Sequence, residues 1–410
     1  MRKITWHSKT ITTNADAEAM RNLYRATQQT AAAFDTETTG LSHMRDKPFL
    51  YQFGWYDETT MEGYTWAVDI ERQPQLAQQV IKVWHALVKN APIYIGQNVK
   101  FDLHMLTNIN LPYDGDNISE LMAWIRLGTD AIAEKNGGAP LKLKKFAVRY
   151  IDKSAANHEK KIDEERTKIA KDLNLKLRKK LGWSQKDIDT FFKDKLNDVE
   201  DLPEDKREAY WDWHTNDLPE YLQPKVTGTV DSDMIAYNTL NREHVIEYGH
   251  LDIVWTLEAF HLLKEAVRIR GNLPAIAIEE SNIYPVYEME RVGFKVDKDY
   301  LQQSKVAVKE YIKQRRQDMY SIAGRELSVG QHALIKKTLA EMGLIVPSTG
   351  KEELDIVLSK LKHTGENPVA ADFIEVVQEL RTLEKWYSTY IMRFEVDLKY
   401  SDMLYTTINL

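Results

Sequence analysis

The 410-residue chain contains no cysteine, so it can form no disulfide and offers no thiolate to zinc. It never runs 18 residues without a charge, which leaves no candidate membrane-spanning stretch. The opening Met1-Arg2-Lys3-Ile4-Thr5-Trp6 lacks the apolar run of a signal peptide, and internal repeats and low-complexity tracts are missing. A cytoplasmic location, without a membrane partner, is the expectation. Positive charge is also in short supply: 55 Lys and Arg stand against 62 Asp and Glu, a net charge of −7. That is unusual for a chain whose only task is to bind DNA. The average hides asymmetry, because 141–183 holds 14 basic against 6 acidic residues and 184–252 holds 7 against 17. With 43% hydrophobic residues, the chain can build two or three cores of ordinary domain size.

Against this background three short segments stand out: Phe34-Asp35-Thr36-Glu37-Thr38, Asn98-Val99-Lys100-Phe101-Asp102 and Tyr248-Gly249-His250-Leu251-Asp252. Ala31-Ala32-Ala33-Phe34 is a small-to-apolar run that enters a buried strand. Residues i and i+2 of a strand share a face, so Asp35 and Glu37 can grip one ion together. A second apolar run at 93–96 leads into a helix carrying Asp102, one turn after Asn98. Asn98 can cap that helix, contact a substrate strand, or do both. Tyr248 and Asp252 are also four apart, in a helix expected over 243–263. Four carboxylates so distributed suit two hard divalent ions, which take oxygen ligands and can hold both the attacking and the leaving oxygen of a phosphoryl transfer. The pattern implies a phosphodiester-cleaving enzyme with Mg²⁺ or Mn²⁺ as its two ions.

Asp-x-Glu, Asn-x-x-x-Asp and Tyr-x-x-x-Asp, in this order, resemble the three motifs of the proofreading 3′→5′ exonuclease superfamily, in the subclass with a tyrosine before the last aspartate. In the other subclass a histidine stands five residues before that aspartate, where this chain has Glu247; His104 and His250 are read as structural. The later part of the chain is similar to the region C-terminal to that domain in family A DNA polymerases of phage type. Ile283–Asp297 resembles the family's connection into its thumb, and Ser328-Val329-Gly330-Gln331, Pro347-Ser348-Thr349 and Arg381–Tyr390 resemble thumb signatures.

The resemblance implies a ribonuclease H-like exonuclease fold with a mixed sheet, followed by a helical thumb: α/β, then α. It implies a metal-dependent 3′→5′ exonuclease acting on DNA, in which Asp35 bridges two metals, Glu37 and Asp252 complete the first, Asp102 holds the second and Tyr248 orients the attacking water. Leu41, Asn98 and Phe101 would meet the DNA 3′ end. In the thumb, Ser328, Gln331, Lys336, Lys337, Arg381, Lys385, Ser388 and Thr389 are candidates to meet phosphates of a primer–template duplex, helped by 9 basic against 4 acidic residues over 298–337.

The expected domains are 1–272, an exonuclease with a charged, largely helical insertion at about 152–235; 273–400, the thumb; and 401–410, the first palm strand cut off in mid-element. Fingers, palm aspartates and the family's 5′-nuclease domain have no counterpart. No DNA synthesis is therefore expected from this chain alone, and a separate chain with fingers and palm is the expected partner if the gene is split. Tyr210, Trp211 and Trp213 are expected to pack the insertion onto the exonuclease body. Strands are expected at 31–35, 50–55, 64–67 and 93–96, with helices at 74–90, 100–108, 118–127 and 141–150 and, past 272, at 298–323, 331–342, 351–362 and 369–395. Two other classes share these carboxylates: an exoribonuclease of the same superfamily, which leaves the thumb signatures unexplained, and a non-catalytic DNA-holding subunit, which the intact set of site residues disfavours.

Overall fold

The computed structural model describes residues 3–130, 134–193, 199–223, 226, 228–399 and 401–408. Two compact bodies emerge, each discontinuous in sequence: 1–175 with 230–293 and 405–410, and 176–229 with 294–404.

The first body is built on six strands, β1 (Thr5–Ile11), β2 (Ala31–Thr38), β3 (Pro48–Asp57), β4 (Glu62–Asp69), β5 (Tyr94–Gly96) and β6 (Ile118–Glu120), in spatial order β1-β4-β3-β2-β5-β6. The pairs β2/β3 and β3/β4 are antiparallel, while β1/β4, β2/β5 and β5/β6 are parallel. All ten residues of β3 are buried, as expected of a strand covered on both faces. Side-chain alternation along β2 serves two cores. Ala32 and Phe34 join Tyr51, Phe53, Trp55 and Trp84 on one face, and Ala31 and Ala33 join Ile253, Trp255 and Phe260 on the other. The helices around the sheet are α1 (Asn14–Ala26), α2 (Pro74–Val88), α3 (Val99–Asn108), α4 (Leu121–Gly128), α5 (Leu143–Tyr150), α6 (Ala155–Leu181), α7 (Gln185–Lys193), α8 (Glu204–Asn216), α9 (Arg242–Ile269), α10 (Leu273–Ser281) and α11 (Ile283–Val292). Of these, α7 and α8 belong to the second body.

The mixed sheet flanked by helices is the α/β fold expected. One local expectation is corrected. Residues 118–120 are strand, not the start of a helix, because they pair with Tyr94–Gly96. The first body includes 230–293. Ile276, Ile283 and Tyr287 are buried in its cores, and the buried Glu290 pairs with Lys100 Nζ at 2.5 Å and His104 Nε2 at 2.8 Å. The insertion's aromatic residues pack together. Tyr210 and Trp213 are fully buried beside Phe192, Trp211 and His214 in the second body.

The rest of the second body is helical: α12 (Lys298–Ala323), α13 (His332–Glu341), α14 (Lys351–Thr364), α15 (Pro368–Trp386) and α16 (Met392–Asp397), with a wide π-type turn at Tyr387–Ile391 where one helix over 369–395 was expected. Their core holds Ile312, Met319, Ile335, Leu339, Phe373, Ile374 and Leu380. Two short strands, β7 (Phe294–Lys295) and β8 (Met403–Leu404), pair antiparallel. Tyr405 to Ile408 return to the first body. The Ile408 N–H donates to Glu290 Oε1 at 2.7 Å and Lys100 Nζ donates to the Ile408 carbonyl; Asn409 and Leu410 lie outside the described residues. Among the described residues no helix is long and apolar enough to cross a membrane.

Candidate active site

The strand period places Asp35 and Glu37 on the same face as Ala31 and Ala33, the face that α9 covers. Close approach of α9 depends on two glycines. A Cβ on Gly54 of β3 would come within 2.8 Å of Ile253 Cγ2 and 2.4 Å of the Tyr64 carbonyl, and one on Gly249 of α9 within 1.9 Å of Gln52 Nε2. Gln52 itself lies opposite Asp35 in the β2/β3 register. With α9 this near the sheet, Asp252 reaches the strand carboxylates: ligand oxygens of Asp35, Glu37 and Asp252 all lie within 4.8 Å of one another, the one such group found among the described residues. The register irregularity between Glu37 and Thr38 ends regular pairing right after the second carboxylate, a common device beside active sites.

Asp102 arrives from the other side. The α3 residues Val99, Leu103 and Leu106 pack with Ala32 and Phe34, and Asp102 Oδ1 accepts from the Thr36 N–H at 2.9 Å and the Thr36 hydroxyl at 2.6 Å. It therefore stands outside the three-carboxylate group while still repelling Asp35. Asn98 occupies the residue before α3, with φ of 58°, but its side chain makes no capping bond. The expected cap is supplied instead by Glu120, whose carboxylate accepts from the N–H of Asn98, Val99 and Met122 at 3.0, 2.9 and 3.0 Å. One buried carboxylate thus ties down the starts of α3 and α4, where N–H groups lack helical partners.

Removal from water and mutual repulsion raise the proton affinity of the whole cluster. Asp35 is held well above the usual carboxylate range by burial and by Asp102, Asp252 and Glu37. Burial, with Asp252 and Asp102, pushes Glu37 to about 8. Asp102 is pushed to about 7 by burial against the Thr36 hydrogen bonds, and Asp252 to about 6 by burial. Lys144 of α5 is the cation that opposes these shifts in Asp35, Glu37 and Asp252. Glu37 Oε1 and Asp252 Oδ1 are buried without a hydrogen-bond partner. An all-oxygen donor set with orphaned, mutually repelling carboxylates fits a hard divalent cation, whose arrival would satisfy these atoms and lower their pKa values together.

Tyr248 lies one turn before Asp252 on α9 and is buried. His250 is turned to Thr65 Oγ1 at 2.9 Å and burial pushes it down to about 4, while His104 is paired with Glu290; both have structural partners. Leu41, on the loop after β2, is 82% exposed, Phe101 is half-buried and Asn98 exposed. In the second body, Lys385 and Thr389 are exposed. Gln331 Oε1 accepts from the Ser328 N–H at 3.0 Å, Ser388 Oγ donates to the Glu384 carbonyl at 2.9 Å, and Lys336 Nζ donates to the Pro347 carbonyl at 3.0 Å. Arg381 donates to the Val329 and Thr349 carbonyls at 3.1 and 2.6 Å. Lys337 lies 3.9 Å from Glu341. The basic stripe of α12 is compensated throughout: Lys305 with Glu395, Lys309 with Asp201, Lys313 with Glu310, Arg315 with Asp318 and Glu379, and Arg316 with Glu384.

Comparison with known proteins bears on the segment that carries three of these carboxylates. Residues 8–181, which include Asp35, Glu37 and Asp102, match the family model of the 3′-5′ exonuclease of DNA polymerase A. This segment is a 3′-5′ exonuclease domain of the family A polymerase kind. The match stops short of Tyr248 and Asp252; of these two, the fold brings Asp252 to Asp35 and Glu37. DNA polymerase I of Treponema pallidum (strain Nichols) is 28% identical over 153 residues, 36% of this chain and 15% of that protein. The POL domain of Pol1 from M. smegmatis, solved with DNA primer-template and dNTP, superposes with a TM-score of 0.54 at 12% identity, over 98% of this chain and 52% of that one. At that identity the likeness is one of fold, and it extends through the helical second body. The chain spans about half of that structure and a smaller share of the curated polymerase.

Proposed function

We propose that the chain is a metal-dependent 3′→5′ exodeoxyribonuclease that removes nucleotides from DNA 3′ ends, the proofreading front part of a family A polymerase. The observation that carries this reading is the convergence of Asp35, Glu37 and Asp252 within 4.8 Å, with Asp102 near enough to repel Asp35 and Tyr248 one turn before Asp252, in a chain whose residues 8–181 match the 3′-5′ exonuclease of DNA polymerase A. Two divalent ions held there would make water nucleophilic at neutral pH and offset charge on the reacting phosphate. Asp35, Glu37 and Asp252 would hold one and Asp102 the other. Thr36 keeps Asp102 in place, the Tyr248 phenol orients the attacking water, and Leu41, Asn98 and Phe101 receive the terminal nucleotides. The helical second body serves as the thumb, with Lys336, Lys337, Lys385 and Thr389 as its phosphate contacts. A polypeptide with fingers and palm is the partner this reading calls for.

The test is digestion of 5′-labelled single-stranded DNA and of the matched RNA with Mg²⁺ or Mn²⁺. Stepwise 3′ shortening of DNA with release of nucleoside 5′-monophosphates is expected, lost in Asp35→Ala/Glu37→Ala. Digestion by the double variant would overturn the site, and a preference for RNA would turn the reading to an exoribonuclease.

A further inference from the structure

Tyr248 sits in a cage that the charged insertion helps to build. Lys144 Nζ lies 3.9 Å from the centroid of its ring and 3.0 Å from Glu159 Oε1 of α6. On another side the Tyr237 ring meets Tyr248 edge-on at 5.9 Å, and Tyr237 is in turn covered by the Arg166 guanidinium of α6 at 5.1 Å. Next to this cage is a cavity of about 170 Å³ lined by Asn157, Lys161, Ile162, His244, Glu247, Tyr248 and Leu251. A space of that order accepts an aromatic ring, so packing alone does not prevent Tyr248 from turning away from the carboxylates.

We propose that Lys144 is a positioning residue of the exonuclease site: its ammonium group holds the face of Tyr248, Glu159 holds the ammonium, and through this chain of contacts helix α6 fixes the phenol that orients the attacking water. The inference rests on the exonuclease reading above. A cation over an aromatic face attracts it most strongly where water is excluded, and the Lys144 side chain is 22% exposed. The same ammonium lowers the proton affinity of Asp35, Glu37 and Asp252, so one cation acts on both the ring and the carboxylates. Glu159 has the opposite influence on Asp252, so its use is to anchor Lys144.

The experiment compares Lys144→Met, which keeps the stem and removes the charge, with Lys144→Arg, which keeps a cation, in wild-type and Tyr248→Phe backgrounds. Lys144→Met is expected to lower kcat on single-stranded DNA by about 10-fold, the size of one desolvated cation–π contact, with little change in KM. Lys144→Arg should recover most of it, and Lys144→Met should cost little more once the phenol is gone. A rise in KM at constant kcat, or an equal loss in the Tyr248→Phe background, would overturn the inference. A second readout needs no activity. In ¹³C-tyrosine NMR spectra the Tyr248 ring signal should move in Lys144→Met and in Glu159→Gln and return in Lys144→Arg; an unmoved signal overturns the inference. A wild-type chain without nuclease activity would sink the exonuclease reading, and the spectra alone would then decide whether Lys144 holds Tyr248.

Discussion

The Thr36 hydroxyl donates to Asp102 Oδ1 at 2.6 Å, so the residue between two clustered carboxylates restrains a third that comes from the opposite face of the sheet. These bonds lower the proton affinity of Asp102. In Thr36→Val the hydroxyl is lost and the backbone bond stays, so the Asp102 pKa should rise. Metal-dependent cleavage should fall by about 10-fold near neutral pH, the order of one hydrogen bond to a charged group, and recover as pH is raised. A loss that is equal at all pH values would mean that Thr36 acts on position and not on charge.

Glu37 at about 8, Asp102 at about 7 and Asp252 at about 6 all lie above the ordinary carboxylate range. The folded metal-free protein therefore binds protons more tightly than the unfolded chain. The stability these groups contribute is fully present below about pH 4 and is lost as pH rises through 6 to 8. Divalent ions replace those protons, so the gain in Tm on adding Mg²⁺ or Mn²⁺ should be larger at pH 8 than at pH 6. Thermal unfolding with and without EDTA at both pH values measures this; an equal gain would count against metal binding by these carboxylates.

Gly249→Ala places a methyl group 1.9 Å from the buried Gln52 amide. The helix must lift or Gln52 must turn, and overpacking of this kind costs about 1–3 kcal/mol. Lifting α9 also withdraws Asp252, so cleavage should fall together with stability. Shortening the obstacle in Gly249→Ala/Gln52→Ala should restore part of both, which denaturant unfolding and a nuclease assay would show.

Each phosphate neutralised adds about 0.9 to the slope of log affinity against log salt. Nine free basic residues over 298–337 would give a slope of about 8, but those of α12 at 305, 309, 313, 315 and 316 already have carboxylate partners. With Lys336, Lys337 and Lys385 as the contacts, binding to primer–template duplex should show a slope of about 3 or less. A titration of affinity against salt in the Asp35→Ala/Glu37→Ala background checks this without digestion.

Short spacings were legible in the sequence. Asp35 and Glu37 share a face because they are two apart on a strand, and Tyr248 and Asp252 because they are a turn apart on a helix. Glu120 was not legible, since its role at the start of α3 exists only because 118–120 lies beside β5. Lys144 is one of 14 basic residues in its stretch, and only the fold sets it on the ring of Tyr248. Strand β1 is hard to see in sequence because most of its side chains are exposed and no apolar alternation marks it. Helix α1 does carry a signal that could have found it, the reciprocal capping of Thr13 and Asp16. The basic run of α12 was visible, but its neutralisation by Asp201, Glu379, Glu384 and Glu395 depends on residues distant in the chain.

The chain crosses from one body to the other four times, at 175/176, 229/230, 293/294 and 404/405. Neither body is a contiguous stretch, so no single proteolytic cut releases one of them whole. On a ribosome the sheet would be complete long before the Tyr405–Ile408 segment that Glu290 and Lys100 hold has emerged. Until then, among the described residues, the Glu290 carboxylate has Lys100 and His104 as its hydrogen-bond partners, and the first body completes this buried network after the second has been synthesised.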